Sequence, residues 1–342
     1  MPSARWMMRA GVAVMVLALA AGTGTAAQEK VVQATAAVGN NTAHLPSFVG
    51  LEKGIFLKHG IDLKLKVLAT GQEMVKAVQA GEAQFLGAAY SNFPVAVERG
   101  FKGKGVVGLQ GDRTGMYSDE AMAIVTRKAT GIAKVQDLIG KKVGTPTGGT
   151  ADEYLGVVLR KAGIPREKIA LLNVPPGNKV SALSSGQVDA IAGWEPYVTL
   201  MLEKVPDAVL LQRGGGLIGY FNDMSTLVDI IEKQPDMVYR YVVALAEAAQ
   251  YTRQHVDEAA EISTRWIPGL EVNVARKAIR HFYYDPRITK YSRQSWEENV
   301  RVLVEQKKLR QPMAWTQGAE LKFIDRAQKE YPQLFSDLKP IP

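Results

Sequence analysis

Residues 141–152 read KKVGTPTGGTAD and join a predicted short strand to a predicted helix. The strand ends at Gly144, because the following turn of Thr, Pro and paired Gly breaks the extended pattern, and apolar residues recur at helical spacing from Ala151 to Ala162. Such a turn exposes the first N–H groups of the helix, which favour an anion or a carbonyl oxygen. No lysine follows the glycines, so the stretch is not a phosphate-binding P-loop. Taken alone, it is also compatible with an ordinary helix capped by Thr150.

Strands and helices alternate on both sides of this stretch. This alternation predicts an α/β fold with parallel, doubly wound sheets. Residues 103–108, GKGVVG, match a dinucleotide fingerprint, but these glycines lead into a strand instead of leaving one for a helix, so we reject that match. Before residue 100, strands are predicted at 31–37, 61–68 and 83–87. Helices are predicted at 46–57 and 71–80, and a further helix ends at Arg99.

An internal repeat suggests two lobes of similar construction. Residues 60–87 and 163–193 share the order strand, helix, Gly-terminated helix end and short buried strand. Chance similarity between two βαβ units is the alternative. The predicted strands at 121–127 and 224–228 make 111–117 and 213–221 candidate crossover segments. After Asp229 the chain becomes mainly helical, with helices predicted at 236–256, 257–266, 272–281, 292–308 and 317–331.

These patterns predict a discontinuous first lobe at 28–112 plus 225–342, which includes the helical tail, and a second lobe at 113–224. Ligands of such folds bind in the crevice at the carboxyl ends of the strands.

The N-terminal residues have the pattern of a secretory signal. Arg5 and Arg9 precede an apolar run at 10–21 and a small-residue segment that ends at Ala27. The run is too short to span a bilayer, so we predict a signal peptide at 1–27 cleaved near Ala27, with a retained anchor as the alternative. The chain has no cysteine, which excludes disulfides, thiolate metal sites and a Cys-linked lipid anchor. A periplasmic location follows.

Three stretches resemble a known family: LPSFVGLEKGIF at 45–56, VQDLIGKKVG at 135–144 and GWEPY at 193–197. They look like the periplasmic solute-binding proteins of ABC importers for nitrate, sulfonates, taurine and thiamine-precursor pyrimidines. The resemblance implies a type II periplasmic-binding-protein fold, in which a two-segment hinge joins two doubly wound α/β lobes followed by a helical C-terminal tail. It also implies a small-molecule solute and, as partner, a permease and ATPase complex in the inner membrane.

In that family, loops at strand ends contact the solute. Three of the candidate contact residues also have a structural interpretation: Ser91 could equally cap a helix, Trp194 could fill the core between the lobes, and Glu195 could be solvated or salt-bridged. The ligand-binding residues that the resemblance implies here are Asn40, Asn41, Thr42, Ser91, Asn92, Thr147, Gly148, Gly149, Thr150, Trp194 and Glu195.

The chemistry of these loops favours a small organic solute over nitrate. None of them carries Lys or Arg, whereas a site for a strong inorganic anion is expected to contain a cation. Arg113 and Arg213 lie on the crossover segments and could reach into the crevice, although surface placement is the simpler interpretation. Aromatic residues in or near these loops favour an organosulfonate or a heteroaromatic ring. They are Tyr90, Phe93, Trp194, Tyr197 and Tyr220.

We therefore predict a binding protein that is not an enzyme and that needs no cofactor or metal. The four histidines show neither metal-ligand spacing nor the pattern of a catalytic triad. A pyrimidine-synthase-like enzyme on the same fold is disfavoured, because such enzymes depend on cysteine-rich motifs. A sensory solute-binding protein remains open. The net charge is +8, but the lysines and arginines are scattered among acidic residues, so no nucleic-acid partner is predicted. Because the chain has no cysteine, no disulfide partner is predicted either.

Overall fold

The computed structural model describes residues 30–91, 93–111 and 119–341. The predicted signal peptide at 1–27, together with Asn92 and Arg113, lies outside the described residues. Within the described ranges, no helix is both long and apolar enough to cross a bilayer.

The described ranges contain ten strands in two five-stranded sheets. The strands are β1 (Val32–Gly39), β2 (Ile61–Leu68), β3 (Phe85–Ala89), β4 (Gly103–Gln110), β5 (Met122–Arg127), β6 (Lys142–Thr145), β7 (Ala170–Asn173), β8 (Ala190–Trp194), β9 (Ala208–Arg213) and β10 (Asn222–Leu227). The first sheet has the order β2-β1-β3-β10-β4 and the second the order β7-β6-β8-β5-β9. Residues 103–108 lie in strand β4, which confirms that these glycines do not form a dinucleotide-binding turn before a helix.

Both sheets are mixed, although the pattern of elements predicted parallel ones. In the first sheet β10 runs antiparallel to β3 and β4, and in the second β5 runs antiparallel to β8 and β9. β5 and β10 are the first strands after the chain crosses from one sheet to the other. A strand that arrives from the other sheet does not follow a βαβ crossover, so the rule that makes such neighbours parallel does not apply to it. β10 begins at Asn222, so the first sheet includes residues on both sides of the predicted boundary at 224/225.

Thirteen helices are present in the described residues. They are α1 (Leu45–Glu52), α2 (Ile55–Lys58), α3 (Gly71–Gln79), α4 (Phe93–Glu98), α5 (Thr150–Lys161), α6 (Lys179–Ser184), α7 (Tyr197–Lys204), α8 (Val228–Lys233), α9 (Pro235–Gln254), α10 (Val256–Trp266), α11 (Val272–Ile279), α12 (Lys290–Glu305) and α13 (Lys322–Glu330). The single helix predicted at 46–57 is two helices, because Gly54 adopts a left-handed φ of 66°. The last helix begins at Lys322, later than predicted.

The C-terminal helices pack mainly on the first sheet. Helix α9 contacts α1, α2 and β4, and Tyr241 on its buried face stacks on Phe85 of β3 with ring centroids 3.8 Å apart. Burial of such an aromatic side chain contributes roughly 1.5–3 kcal/mol. Helix α11 contacts α7 beside the second sheet, so the tail touches both lobes.

One buried carboxylate ties together the two segments that cross between the sheets. Asp119, just before β5, accepts hydrogen bonds from the backbone N–H groups of Gly216, Leu217 and Ile218 at 3.2, 2.7 and 3.3 Å. These three residues belong to the segment between β9 and β10. The residue that precedes β5 is thereby bonded to the segment between β9 and β10.

Candidate functional site

A cavity of about 110 Å³ lies between the two lobes at the carboxyl ends of their parallel strands. One buried water needs roughly 10–15 Å³ by this measure, and drug-sized ligands occupy roughly 300–1,000 Å³. The cavity is therefore suited to a solute of a few heavy atoms. Its lining residues are Asn41, His44, Ala69, Thr70, Gly71, Gln72, Met74, Gly87, Ala89, Tyr220 and Asn222 beside the first sheet, and Pro146, Thr147, Gly148, Gly149, Thr150 and Trp194 beside the second.

The second lobe contributes the start of helix α5, which the stretch at 141–152 predicted. The N–H groups of Asp152 and Glu153 donate to the carbonyl of Gly149 at 3.1 Å each, which closes the first helical turn. The two preceding N–H groups, those of Thr150 and Ala151, have no acceptor inside the helix. The positive end of a twelve-residue helix therefore faces the cavity.

The first lobe contributes a second helix start, that of α3. Thr70 Oγ1 accepts from Glu73 N at 3.3 Å, and Glu73 Oε2 accepts from Thr70 N at 3.0 Å, which together form a capping box. This arrangement leaves the N–H groups of Gly71 and Gln72 without helical acceptors. Two helix N-termini, one from each lobe, thus line the same small cavity.

A neutral histidine forms part of the first-lobe wall. His44 is buried between Gly39 and Gly87, and a Cβ atom on Gly87 would lie 1.9 Å from His44 Cε1. Only glycine at position 87 therefore leaves room for the ring. Burial lowers the pKa of His44 to about 3, and its Nδ1 atom has no hydrogen-bond partner. The uncharged imidazole of His44 therefore lines the cavity with one ring nitrogen, Nδ1, available for a hydrogen bond.

Polar atoms without partners occur on both sides of the cavity. Asn222 Oδ1 has no hydrogen-bond partner, while its Nδ2 donates to the Tyr220 hydroxyl at 3.4 Å. Trp194 Nε1 likewise has no partner. Buried polar atoms in this state incur a desolvation cost that a suitable solute would relieve. The site therefore offers one indole donor and one amide acceptor in addition to the helix ends.

Direct hydrogen bonds join the lobes next to the cavity. Ser91 Oγ lies 2.8 Å from Thr150 Oγ1, and the Tyr197 hydroxyl donates to the carbonyl of Asn40 at 3.0 Å. Ser91 and Asn40 follow strands of the first sheet, while Thr150 and Tyr197 begin helices of the second lobe. The lobes are in direct contact across the crevice in this structure.

The structure brings six of the predicted site residues to the cavity wall: Asn41, Thr147, Gly148, Gly149, Thr150 and Trp194. Asn41 Oδ1 accepts from Ala43 N at 3.0 Å, so its amide NH₂ is the group left for other contacts. Ser91 lies beside the cavity, through its contact with Thr150. Asn92 is outside the described residues.

Three predicted residues do not line the cavity. Asn40 uses its carbonyl on Tyr197, and Thr42 is completely buried beneath the loop. Glu195 is also completely buried and pairs with Arg213, with Nη1 and Oε1 at 2.8 Å. Burial raises the pKa of Glu195, and Arg213 opposes that rise. Glu195 is thus salt-bridged, which was one of its two alternatives to solute contact. Its partner Arg213 does not line the cavity either.

The predicted aromatic wall is smaller than expected. Tyr90 and Phe93 belong to a buried cluster with Trp296, since the Tyr90 and Trp296 centroids are 5.7 Å apart and those of Phe93 and Trp296 are 6.2 Å apart. Trp194 and Tyr220 do reach the cavity. Hydrophobic residues next to a loop fill the core more readily than a polar crevice, which explains the difference.

Several lining residues were missed from the sequence. The segment 69–72 was not chosen, although Thr70-x-x-Glu73 after a strand is a recognisable capping-box signal. Gly87 gave no local signal, because its proximity to His44 depends on the tertiary fold. Asn222 gave none either, because its place beside Ala89 at the cavity depends on the pairing of β10 with β3. Among the lining residues that the structure describes, none is Asp, Glu, Lys or Arg.

The family model described as NMT1/THI5 like matches residues 41–259. The chain belongs to this family. Among relatives, it is 26% identical over 235 residues to a putative binding protein of Brucella abortus, covering 67% of this chain and 70% of the relative. It is also 26% identical over 233 residues to a putative aliphatic sulfonates-binding protein of Bacillus subtilis, covering 66% and 67%. A taurine-binding periplasmic protein of Escherichia coli is 26% identical over 216 residues, covering 62% and 65%.

Solved structures of this NMT1/THI5-like fold confirm the predicted architecture. The alkanesulfonate-binding protein SsuA from Xanthomonas axonopodis pv. citri, bound to MOPS, aligns with a TM-score of 0.74 at 18% identity, covering 85% of this chain and 99% of that one. The desulfurization enzyme DSZB aligns with a TM-score of 0.64 at 16% identity, covering 87% and 99%. The sequence relatives named above are binding proteins, whereas the fold alone does not separate binding from catalysis.

Proposed function

We propose that this protein is the periplasmic solute-binding component of an ABC importer and that it captures a small organosulfonate between its two lobes. The observation that carries the proposal is the pair of helix N-termini, α3 and α5, which converge on one cavity from opposite lobes. The similarity to sulfonate-binding relatives supports the same conclusion. Partnership with a permease and ATPase follows from the binding role that the family resemblance implies.

The charge of the cavity supports a sulfonate as the group of the solute that binds there. Each helix end favours a negative group by roughly 0.3–1 kcal/mol, and by up to about 2 kcal/mol when partly buried. The described lining contains no carboxylate that would repel the anion and none that would hold the ammonium group of a zwitterion such as taurine. A sulfonate without an ammonium group therefore fits better than taurine.

The apolar part of the wall supports an organic solute over nitrate. The indole of Trp194 and the phenol ring of Tyr220 lie at the same cavity as the helix ends. They can cover the carbon substituent of a sulfonate, which nitrate lacks. The same two rings favour a heteroaromatic solute, such as a pyrimidine precursor, as the second candidate.

Closure of the lobes is the proposed means of capture. A solute that touches α3 in one lobe and α5 in the other binds the closed form more tightly than the open form and so shifts the population towards it. The Ser91–Thr150 contact would form only in the closed form. The permease would recognise that form.

Titration calorimetry on the mature chain tests the proposal. We expect ethanesulfonate to bind saturably, with taurine, nitrate and a hydroxymethylpyrimidine weaker by about tenfold or more, which is about 1.4 kcal/mol. Variant Lys161→Gln, on the exposed end of α5, removes a positive charge away from the cavity and serves as the control with unchanged affinity. Saturable binding of the pyrimidine alone would support the second candidate, and turnover of any of these compounds would contradict a binding role.

A further inference from the structure

A second cavity adjoins the first across a thin partition. Its volume is about 390 Å³, larger than that of the first cavity. Gly71 and Gln72 from α3, and Gly148 and Gly149 before α5, line both cavities. A Cβ atom on Gly148 would lie 3.6 Å from Gln72 Nε2, so the two sides of the partition almost touch. The remaining lining residues of the second cavity are Val75, Lys76, Gln79, Ser91, Val95, Ala96, Arg99, Glu153, Leu303 and Lys308.

A buried carboxyl group without a full set of partners lines this second cavity. Glu153 is 4% exposed, and its Oε1 atom has no hydrogen-bond partner. Burial raises the pKa of Glu153 to about 8, although Lys308 and Arg160 oppose the rise. The group is therefore mostly protonated at neutral pH and can donate a hydrogen bond. Leaving such a group unsatisfied is costly, which is why buried polar atoms normally have partners.

Three cations surround the same cavity. Lys76, Arg99 and Lys308 are exposed, and none of them forms an ion pair with a described residue. Some other lysines of the first lobe are paired, for example Lys58 with Glu247 at 2.6 Å. An adjoining groove is lined by Lys307, Arg310 and one carboxylate, Glu98, so it adds net positive charge to the approach. The potential at the cavity mouth therefore attracts anions.

We propose that the two cavities form one elongated site for a bifunctional organic anion, whose sulfonate lies between the starts of α3 and α5 while a second acidic group lies beside Glu153, Arg99 and Lys308. This inference rests on the proposed function and specifies its substrate class. The linker would pass the partition between Gln72 and Gly148 once the exposed side chain of Gln72 turns aside, and it would contact the apolar side chains of Val75 and Leu303.

The chemistry of the second cavity separates this solute from two others. A solute ending in an ammonium group would meet three cations and a neutral carboxyl group, so its charge would be repelled. A purely aliphatic tail would fill the volume but would leave Glu153 Oε1 without a partner. A terminal carboxylate or sulfonate accepts from the Glu153 hydroxyl and pairs with Lys308.

The test compares matched solutes by titration calorimetry on the mature chain. One series consists of alkanesulfonates, and the other of ω-sulfo carboxylic acids with the same number of methylene groups, from about two to six. We expect the bifunctional acid to bind about tenfold tighter than its alkanesulfonate at one optimal length. Equal affinities at every length, with ethanesulfonate still binding, would overturn this inference and leave the proposed function standing. Failure of every sulfonate to bind would overturn both.

Variants identify the groups responsible. Lys308→Gln combined with Arg99→Gln should remove most of the tenfold preference and leave ethanesulfonate affinity unchanged, while Lys161→Gln should leave both unchanged. Glu153→Gln keeps a donor and should preserve the preference, whereas Glu153→Leu should reduce it. A preference that survives both the double variant and Glu153→Leu would show that the second acidic group lies elsewhere.

Discussion

Replacement of Lys179 by methionine should stabilise the protein at neutral pH. The side chain is completely buried, and its Nζ atom has no hydrogen-bond partner. It lies 3.8 Å from the ring centroid of Trp194 and 5.1 Å from that of Tyr197. The ammonium group is therefore held behind the indole of the cavity wall without a counter-ion among the described residues. Methionine has a similar length and makes favourable contacts with aromatic rings.

The magnitude follows from the pKa of the buried amine. Burial lowers the pKa of Lys179 from 10.5 to about 7. In the unfolded chain the amine is protonated below its ordinary pKa, so the free energy of unfolding falls by about 1.4 kcal/mol for each pH unit between 10.5 and 7 and is then constant. Burial of the charged amine therefore costs roughly 5 kcal/mol of stability at pH 7, and attraction to the two rings offsets about 1–2 kcal/mol of that cost. We expect Lys179→Met to raise the free energy of unfolding at pH 7 by about 3 kcal/mol.

Urea denaturation of both proteins from pH 6 to pH 10 measures this difference. The advantage of Lys179→Met should be largest at and below pH 7 and should fall to about 1 kcal/mol at pH 10, where the unfolded amine, with its ordinary pKa of 10.5, begins to lose its proton. Other titrating groups are common to both proteins and cancel in the difference. A variant that is destabilised by the same amount across this pH range would refute the reasoning, because Lys179 would then contribute packing without a desolvation cost.

The remaining predictions concern the cavity and its support. Trp194→Ala should weaken sulfonate binding by about tenfold or more without loss of far-UV circular dichroism, and unchanged affinity would remove the indole from the site. A double-mutant cycle of Ser91→Ala and Thr150→Val should give a coupling of about 0.5–1.5 kcal/mol in sulfonate affinity, measured by calorimetry; zero coupling would mean that their hydrogen bond does not favour closure. Arg213→Met should lower the free energy of unfolding by roughly 3–5 kcal/mol, because it leaves Glu195 buried and unpaired, and the added change Glu195→Gln should recover part of that loss.

Local sequence patterns predicted much of the first half of the chain. Strand β2 has the predicted bounds, and helix α3 differs by one residue at its end, because alternation and a capping box are both local signals. Thr150 was expected as a possible cap of α5, but the N-cap is Gly149 and Thr150 is the first residue of the helix. The pattern did not show that the chain bends at Gly54, since a glycine in an apolar helical stretch is compatible with either outcome.

The sequence by itself determined the alternation of strands and helices and the helix starts that follow the strands. Only the tertiary structure decided which of those helix starts face one cavity, because that depends on strand pairing and on how one lobe lies against the other. Glu195 and Lys179 illustrate the difference. Both are polar residues that a local pattern places at the surface or in a loop, and both are buried by contacts with residues distant in the chain, Arg213 for the first and Trp194 for the second.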